Sequence, residues 1–211
     1  MIRHESIEDY LTRLASGEPT PGGGATGALA VAEGVGLICM AARFSEREDL
    51  AAEGEKVIGA CLRLSDADER GFAAVADAYG LPQDTPEQKE HRSAAVQDAL
   101  AEAVRPPWDI VDAVAAALDL AERVLADANP HVLSDVGTAL GCARAGLTAA
   151  VVTLLTDLSP LKDETLADEL RAEIARLLRP NALQFHGNEE DAFCRSFGIP
   201  YIKAIAMGDP A

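Results

Sequence analysis

Pro19-Thr20-Pro21-Gly22-Gly23-Gly24 runs straight into the small residues Ala25-Thr26-Gly27-Ala28. Two prolines fix φ and end any helix before them, three glycines let the backbone turn freely, and the first turn of the next helix offers unpaired N–H groups and a partial positive charge. Such a loop suits a carboxylate, a phosphate or a polarised carbonyl. The plainer alternative is a tight helix start and nothing more. Asp68 is a second candidate: it lies in register with Val57, Cys61, Leu64, Phe72, Val75 and Tyr79, on the apolar seam of one helix. A carboxyl there sits at a rim, is paired, or is held where its proton affinity shifts. Its neighbour Asp66 is expected to point into solvent. Ser134-Asp135 opens a second small-residue stretch, where either residue caps the helix or serves a site.

Two familiar glycine patterns fail here. Gly22, Gly24 and Gly27 have dinucleotide-loop spacing, but that loop follows a β-strand, and Ser6 to Ser16 reads as helix. A phosphate loop needs Lys and Ser/Thr after its last glycine, where this chain has Ala28 and Leu29.

The elements that position these residues are helices. Alanine dominates the apolar residues and aromatics are 4% of the 211, which favours closely packed helices in an all-α, single-domain bundle. A short helix begins at Ser6, with Ile7, Tyr10, Leu11 and Leu14 on its apolar face. Further helices are expected over 50–79, from Thr85 to Arg105, over 108–128, and over 163–178. Two central small-residue helices, over 25–42 and 136–156, approach membrane-span length, but their Gly/Ala content and central charges Glu33 and Arg144 read as buried helices of a soluble protein. Packed parallel, they bring Gly22–Gly24 near Ser134 and Asp135; packed antiparallel, only a second copy of the chain does so. Glu33 and Arg144 are expected to pair with each other. Residues 1–180 form the helical domain. Residues 181–211 hold four of the eight Phe and Tyr, including Phe185, Phe193, Phe197 and Tyr201, and read as a C-terminal extension.

Net charge is −17, which disfavours nucleic acid and anionic membranes as partners. Cys39, Cys61, Cys142 and Cys194 form no C-x-x-C pair and are expected as free thiols, and the N-terminus lacks a secretion signal. Both point to the cytoplasm.

Taken together, Leu14-Ala15-Ser16 through Pro19-Gly24, Asp66-Ala67-Asp68 with Phe72, Ala78-Tyr79 and Leu81-Pro82, and Asn129-Pro130 with Ser134-Asp135-Val136-Gly137 resemble the cyclodeaminase/cyclohydrolase family of folate one-carbon enzymes. The resemblance spans nearly all of residues 7–178. It implies an all-helical homodimer acting on a reduced folate, with no metal and no cofactor besides that substrate. The reaction is at the carbon bridging N5 and N10, either formiminotetrahydrofolate cyclodeamination or methenyltetrahydrofolate hydrolysis. On this resemblance Asp68 and Asp135 transfer protons or hold the pterin, Thr20, Pro21, Gly22, Gly23, Gly24 and Ser134 contact the ligand, and His131 is either a third site residue or only a loop residue beside it.

The chain also departs from the family. Ala25 stands where a Ser is usual, and Thr153 and Asp157 occupy two ligand-facing positions that are usually Asn. Neither Thr nor Asp reproduces an amide's paired donor and acceptor. Two further readings therefore stand beside the folate enzyme: the same fold recruited to another small molecule, and a binding protein without catalysis.

Overall fold

The computed structural model describes residues 1–178, 183–185, 195 and 201–203. Its helices are α1 (Ile7–Leu14), α2 (Gly23–Phe44), α3 (Glu48–Tyr79), α4 (Pro86–Ala103), α5 (Arg105–Leu125), α6 (Leu133–Leu158) and α7 (Glu164–Leu178). The chain divides into a unit spanning Met1–Lys162 and another spanning Asp163–Ala211. The first is all-helical.

Helix boundaries follow local chemistry. Ser6 caps α1 by accepting the Asp9 N–H at 3.0 Å. Thr85 and Gln88 form a reciprocal capping box on α4, with Pro86 at its first position. Pro106 and Pro107 fall in the first turn of α5, where a missing N–H costs nothing. α6 differs from the expectation for Ser134 and Asp135: it starts at Leu133, both residues lie inside its first turn, and no side chain caps it. Asn129 organises that corner instead. Its Oδ1 accepts the His131 N–H at 3.0 Å, and its own N–H reaches Ser45 Oγ at 2.9 Å.

The core is built on α2. Val31, Val35 and Ile38 are buried among Leu50, Ile110, Val114, Leu120 and Val136 of α3, α5 and α6. α2 and α6 run antiparallel, because Gly27 lies against Ala149 and Gly146 whereas Gly34 lies against Ala139 and Cys142. A Cβ on Gly34 would come within 2.8 Å of the Ala139 carbonyl oxygen, so the backbones meet only because that side chain is absent. Glu33 and Arg144 are both exposed and no ion pair joins them. They lie off the Gly27–Val31–Gly34 seam, which corrects the expectation of a buried pair. Burial also divides the two apolar helices: α2 is mostly enclosed, whereas α6 leaves Leu133, Leu140, Val152 and Leu155 exposed on one face.

Asp66 is the reverse case. Its side chain is 2% exposed, with Oδ2 3.0 Å from Arg3 Nε and Oδ1 accepting the Arg3 N–H at 3.4 Å. The Arg3–Oδ2 approach is off the direction a hydrogen bond needs, so it is an ion pair only. The segment before α1 covers this face of α3, which is why Asp66 does not reach solvent. Cys39 and Cys61 are buried free thiols and Cys142 is half-buried; burial pushes the Cys61 thiol up to about 11. Cys194, Phe193 and Phe197 lie outside the described residues.

In the C-terminal unit, Asp163 Oδ1 accepts the Leu166 N–H at 3.0 Å at the start of α7. Leu183–Phe185 (β1) pairs with Tyr201–Lys203 (β2) in parallel, Leu183 opposite Tyr201.

Candidate active site

The triglycine turn is the start of α2. Gly22 occupies the cap position but has no side chain to cap with, and Thr20–Pro21 is a cis peptide. The missing cap comes from another helix. Asp68 of α3 reaches across, and its Oδ2 accepts the Ala25 N–H at 2.7 Å. A carboxylate is well placed there, because the unpaired N–H groups of a first helical turn carry partial positive charge. The same contact explains Gly24: a Cβ at that position would fall inside the Asp68 carboxylate, 2.6 Å from Cγ. Ala25 is fully buried and clusters with Ile2 and Tyr10, so at this position the backbone N–H, with no hydroxyl, meets the carboxylate.

Two ion pairs brace Asp68 from either side along α3. Arg3 holds Asp66, and Arg13 of α1 holds Glu69 while also reaching Glu5 at 2.8 Å. Tyr10 of α1 supports the loop from beneath, its hydroxyl 2.9 Å from Thr26 Oγ1, which in turn donates to the Gly22 carbonyl at 2.8 Å. The short leading helix is therefore a strut for the loop and for Asp68.

Above them opens a cavity of about 230 Å³. Thr20 and Gly22–Gly24 line one wall, Asp68 and Phe72 another, and Thr153 and Asp157 of α6 the third. Antiparallel packing brings the end of α6 here: Thr153 Oγ1 lies 3.7 Å from where a Gly23 Cβ would stand. Burial raises the proton affinity of Asp68, opposed by the Ala25 N–H and reinforced by Glu69. Asp157 is pushed up to about 6, first by burial and then by the charge of Asp68. Among the described residues no Lys, Arg or His lines this cavity. Among the described residues no three metal-ligating side chains are gathered.

The structure thus brings together Thr20, Gly22, Gly23, Gly24, Asp68, Thr153 and Asp157, with Pro21 buried in the same turn. It does not bring Ser134 and Asp135 to them within one chain, since they start the helix whose end lines the cavity. His131 is exposed beside them. What residue spacing missed is the coupling of Asp68 to Asp157. The available signal was an acid near the C-terminal end of an otherwise apolar helix.

Residues 6–176 match the formiminotransferase-cyclodeaminase family. The chain is 34% identical over 189 residues to a methenyltetrahydrofolate cyclohydrolase of Methylorubrum extorquens, covering 84% of this chain and 91% of that protein. The crystal structure of formiminotetrahydrofolate cyclodeaminase from Thermotoga maritima superposes with a TM-score of 0.70 at 24% identity, covering 85% of this chain and 91% of the other. A different likeness covers 54 residues, 26% of this chain: 52% identity to an N-(5'-phosphoribosyl)anthranilate isomerase of Xanthomonas oryzae, of which it spans 24%.

Proposed function

The chain belongs to the formiminotransferase-cyclodeaminase family, and from that premise we propose that it is a folate one-carbon enzyme whose reaction is hydrolysis of the methenyl bridge between N5 and N10 of a reduced folate. The observation that carries this reading is the cavity where a half-buried Asp68 meets the triglycine turn. The bridging carbon of a methenyl folate is an amidinium carbon, positively charged and already electrophilic. It needs no cofactor to be attacked by water; it needs an anionic partner, a proton acceptor and a fixed orientation, which together supply most of such a rate. A cavity with two carboxyl groups, and no cation among its described lining residues, provides the first two. The likeness to the Methylorubrum cyclohydrolase, over nine-tenths of its length, supports hydrolysis over deamination.

Cyclodeamination is the second reading. It builds the same bridge from the formimino carbon, with ammonia as leaving group, and the fold shared with the Thermotoga protein keeps it open. Spectroscopic loss of the methenyl chromophore, measured beside ammonia release from the formimino compound, separates the two. Hydrolysis faster than the buffer rate with no ammonia release supports the first; the converse favours the second. Recruitment to another small molecule rests on the departures at Ala25, Thr153 and Asp157 and on the aromatic residues of the C-terminal extension, and turnover of neither folate would favour it.

We further infer a cytoplasmic homodimer. Leu133, Leu140, Val152 and Leu155 give α6 an apolar face with no partner among the described residues, and Gly137 and Gly141 beside it allow close backbone approach. A two-fold axis perpendicular to α6 would run it antiparallel to its copy and carry Ser134 and Asp135 of one chain toward the cavity of the other. Residues 181–211 are an extension to the catalytic domain of 1–180. The family match ends at residue 176. Deleting 181–211 should leave turnover unchanged.

A further inference from the structure

We propose that Asp157 takes the proton from the attacking water, as one member of a carboxylate pair with Asp68 that also recognises the positive charge of the bridging carbon. This rests on the methenyl-folate reading and assigns the two acids different tasks. Asp68 is committed: one oxygen holds the Ala25 N–H at 2.7 Å, and the carboxylate fills the space left by Gly24. A group fixed in that way is an electrostatic partner. Asp157 is half-buried, lines the same cavity, and makes no hydrogen bond or ion pair to any described residue. Among the described residues it has no partner, and it faces the cavity.

Among the described residues the charges around it are few. Asp68 comes from α3, the start of α2 contributes only glycine backbone, α4 contributes Ala103, and α6 itself contributes Thr153 and Thr156. Glu69 acts on Asp68 and is tied to Arg13. With no cation among the described lining residues, burial and then the charge of Asp68 hold the Asp157 acid near 6. A cationic ligand reverses that balance. When the amidinium enters, its charge favours the ionised form of Asp157, so the substrate itself prepares the base. A neutral amide at 157, as in the family pattern, could not respond in this way.

The step balances without a further reactant. The water oxygen bonds to the bridging carbon, the C=N electron pair moves to nitrogen, and one water proton passes to the Asp157 carboxylate, leaving a neutral carbinol. The C–N5 bond then breaks as that proton moves to N5, the carbinol O–H proton leaves to solvent, and the formyl group remains on N10. One water is consumed and one proton released.

The test is the pH profile of methenyltetrahydrofolate hydrolysis, corrected for the buffer reaction, with wild type, Asp157→Asn and Asp68→Asn. Wild-type kcat/KM should fall as pH drops through about 6, while kcat, reporting the substrate complex, falls at lower pH. Asp157→Asn should lose 10²-fold or more in kcat and lose the limb, with its melting temperature kept. Asp68→Asn should raise KM and shift the limb to lower pH, because the charge that raises Asp157 is gone. A kcat for Asp157→Asn within threefold of wild type, or an unchanged limb, overturns the proposal while the hydrolase reading stands. A wild-type chain that does not hydrolyse the compound overturns both.

Discussion

Gly24→Ala tests the site at its tightest point. The added methyl would come within 2.8 Å of Asp68 Oδ2 and 2.6 Å of Cγ, so the carboxylate must rotate away. Rotation breaks the 2.7 Å bond from the Ala25 N–H, which is the N-terminal cap of α2 supplied from another helix. Loss of such a cap costs about 1–2 kcal/mol. Alanine returns up to about 1 kcal/mol of helix propensity, less in a first turn. The net destabilisation is about 1 kcal/mol, or a fall of roughly 2–4 °C in melting temperature for a chain of this size. Gly23→Ala is the control, since its methyl meets only Thr153 Oγ1 at 3.7 Å, an ordinary contact. Circular dichroism melts of both variants should show Gly24→Ala lowered and Gly23→Ala equal to wild type or above it. Equal melting of the two would refute the claim that Asp68 occupies the Gly24 side-chain space.

Arg3→Ala leaves Asp66 buried without its ion-pair partner. Because Arg3 is itself 33% exposed, the cost is set at about 2 kcal/mol, and Asp66→Asn added to it should restore part of the loss in denaturant titrations. Leu140→Glu puts a charge on the exposed face of α6 and should convert a dimer to a monomer by light scattering, whereas an unchanged mass would remove α6 as the interface. Asp157 makes stability depend on pH. Its acid is raised in the folded state to about 6, so its contribution is full below about pH 4, the unfolded value, and is lost as pH rises through about 6. Solvent screening of a half-buried group limits the effect to about 1 kcal/mol. Wild type should gain a few degrees relative to Asp157→Asn between pH 7.5 and pH 5, and parallel melting curves would contradict it.

Much of this molecule could be read before it was seen folded, and the reasons are local. Ser6, Thr85 with Gln88, Pro86 and Pro106-Pro107 punctuate the helices because capping and proline geometry act within one turn. The triglycine loop and Asp68 stood out for the same reason: three glycines and an acid on an apolar seam are costly without a purpose. Orientation was not legible. α2 and α6 carry small residues along much of their length, so their composition fits parallel and antiparallel packing alike, and the direction decides whether Asp135 or Asp157 joins Asp68. Asp66 departs from the expectation because helical spacing places a residue on a face but does not say what covers it; the signal is the basic Arg3 before α1. Glu33 and Arg144 depart in the opposite direction, since an apolar run does not make every position in it part of the seam.

The measurement nearest the centre of the account is calorimetric binding of 5-formyltetrahydrofolate, a stable analogue, to wild type and to Asp68→Asn. Saturable binding by wild type, weakened about tenfold or more in Asp68→Asn, is the predicted result and places a reduced folate against the triglycine turn. No binding at millimolar ligand to folded protein, or equal binding by both, would contradict it.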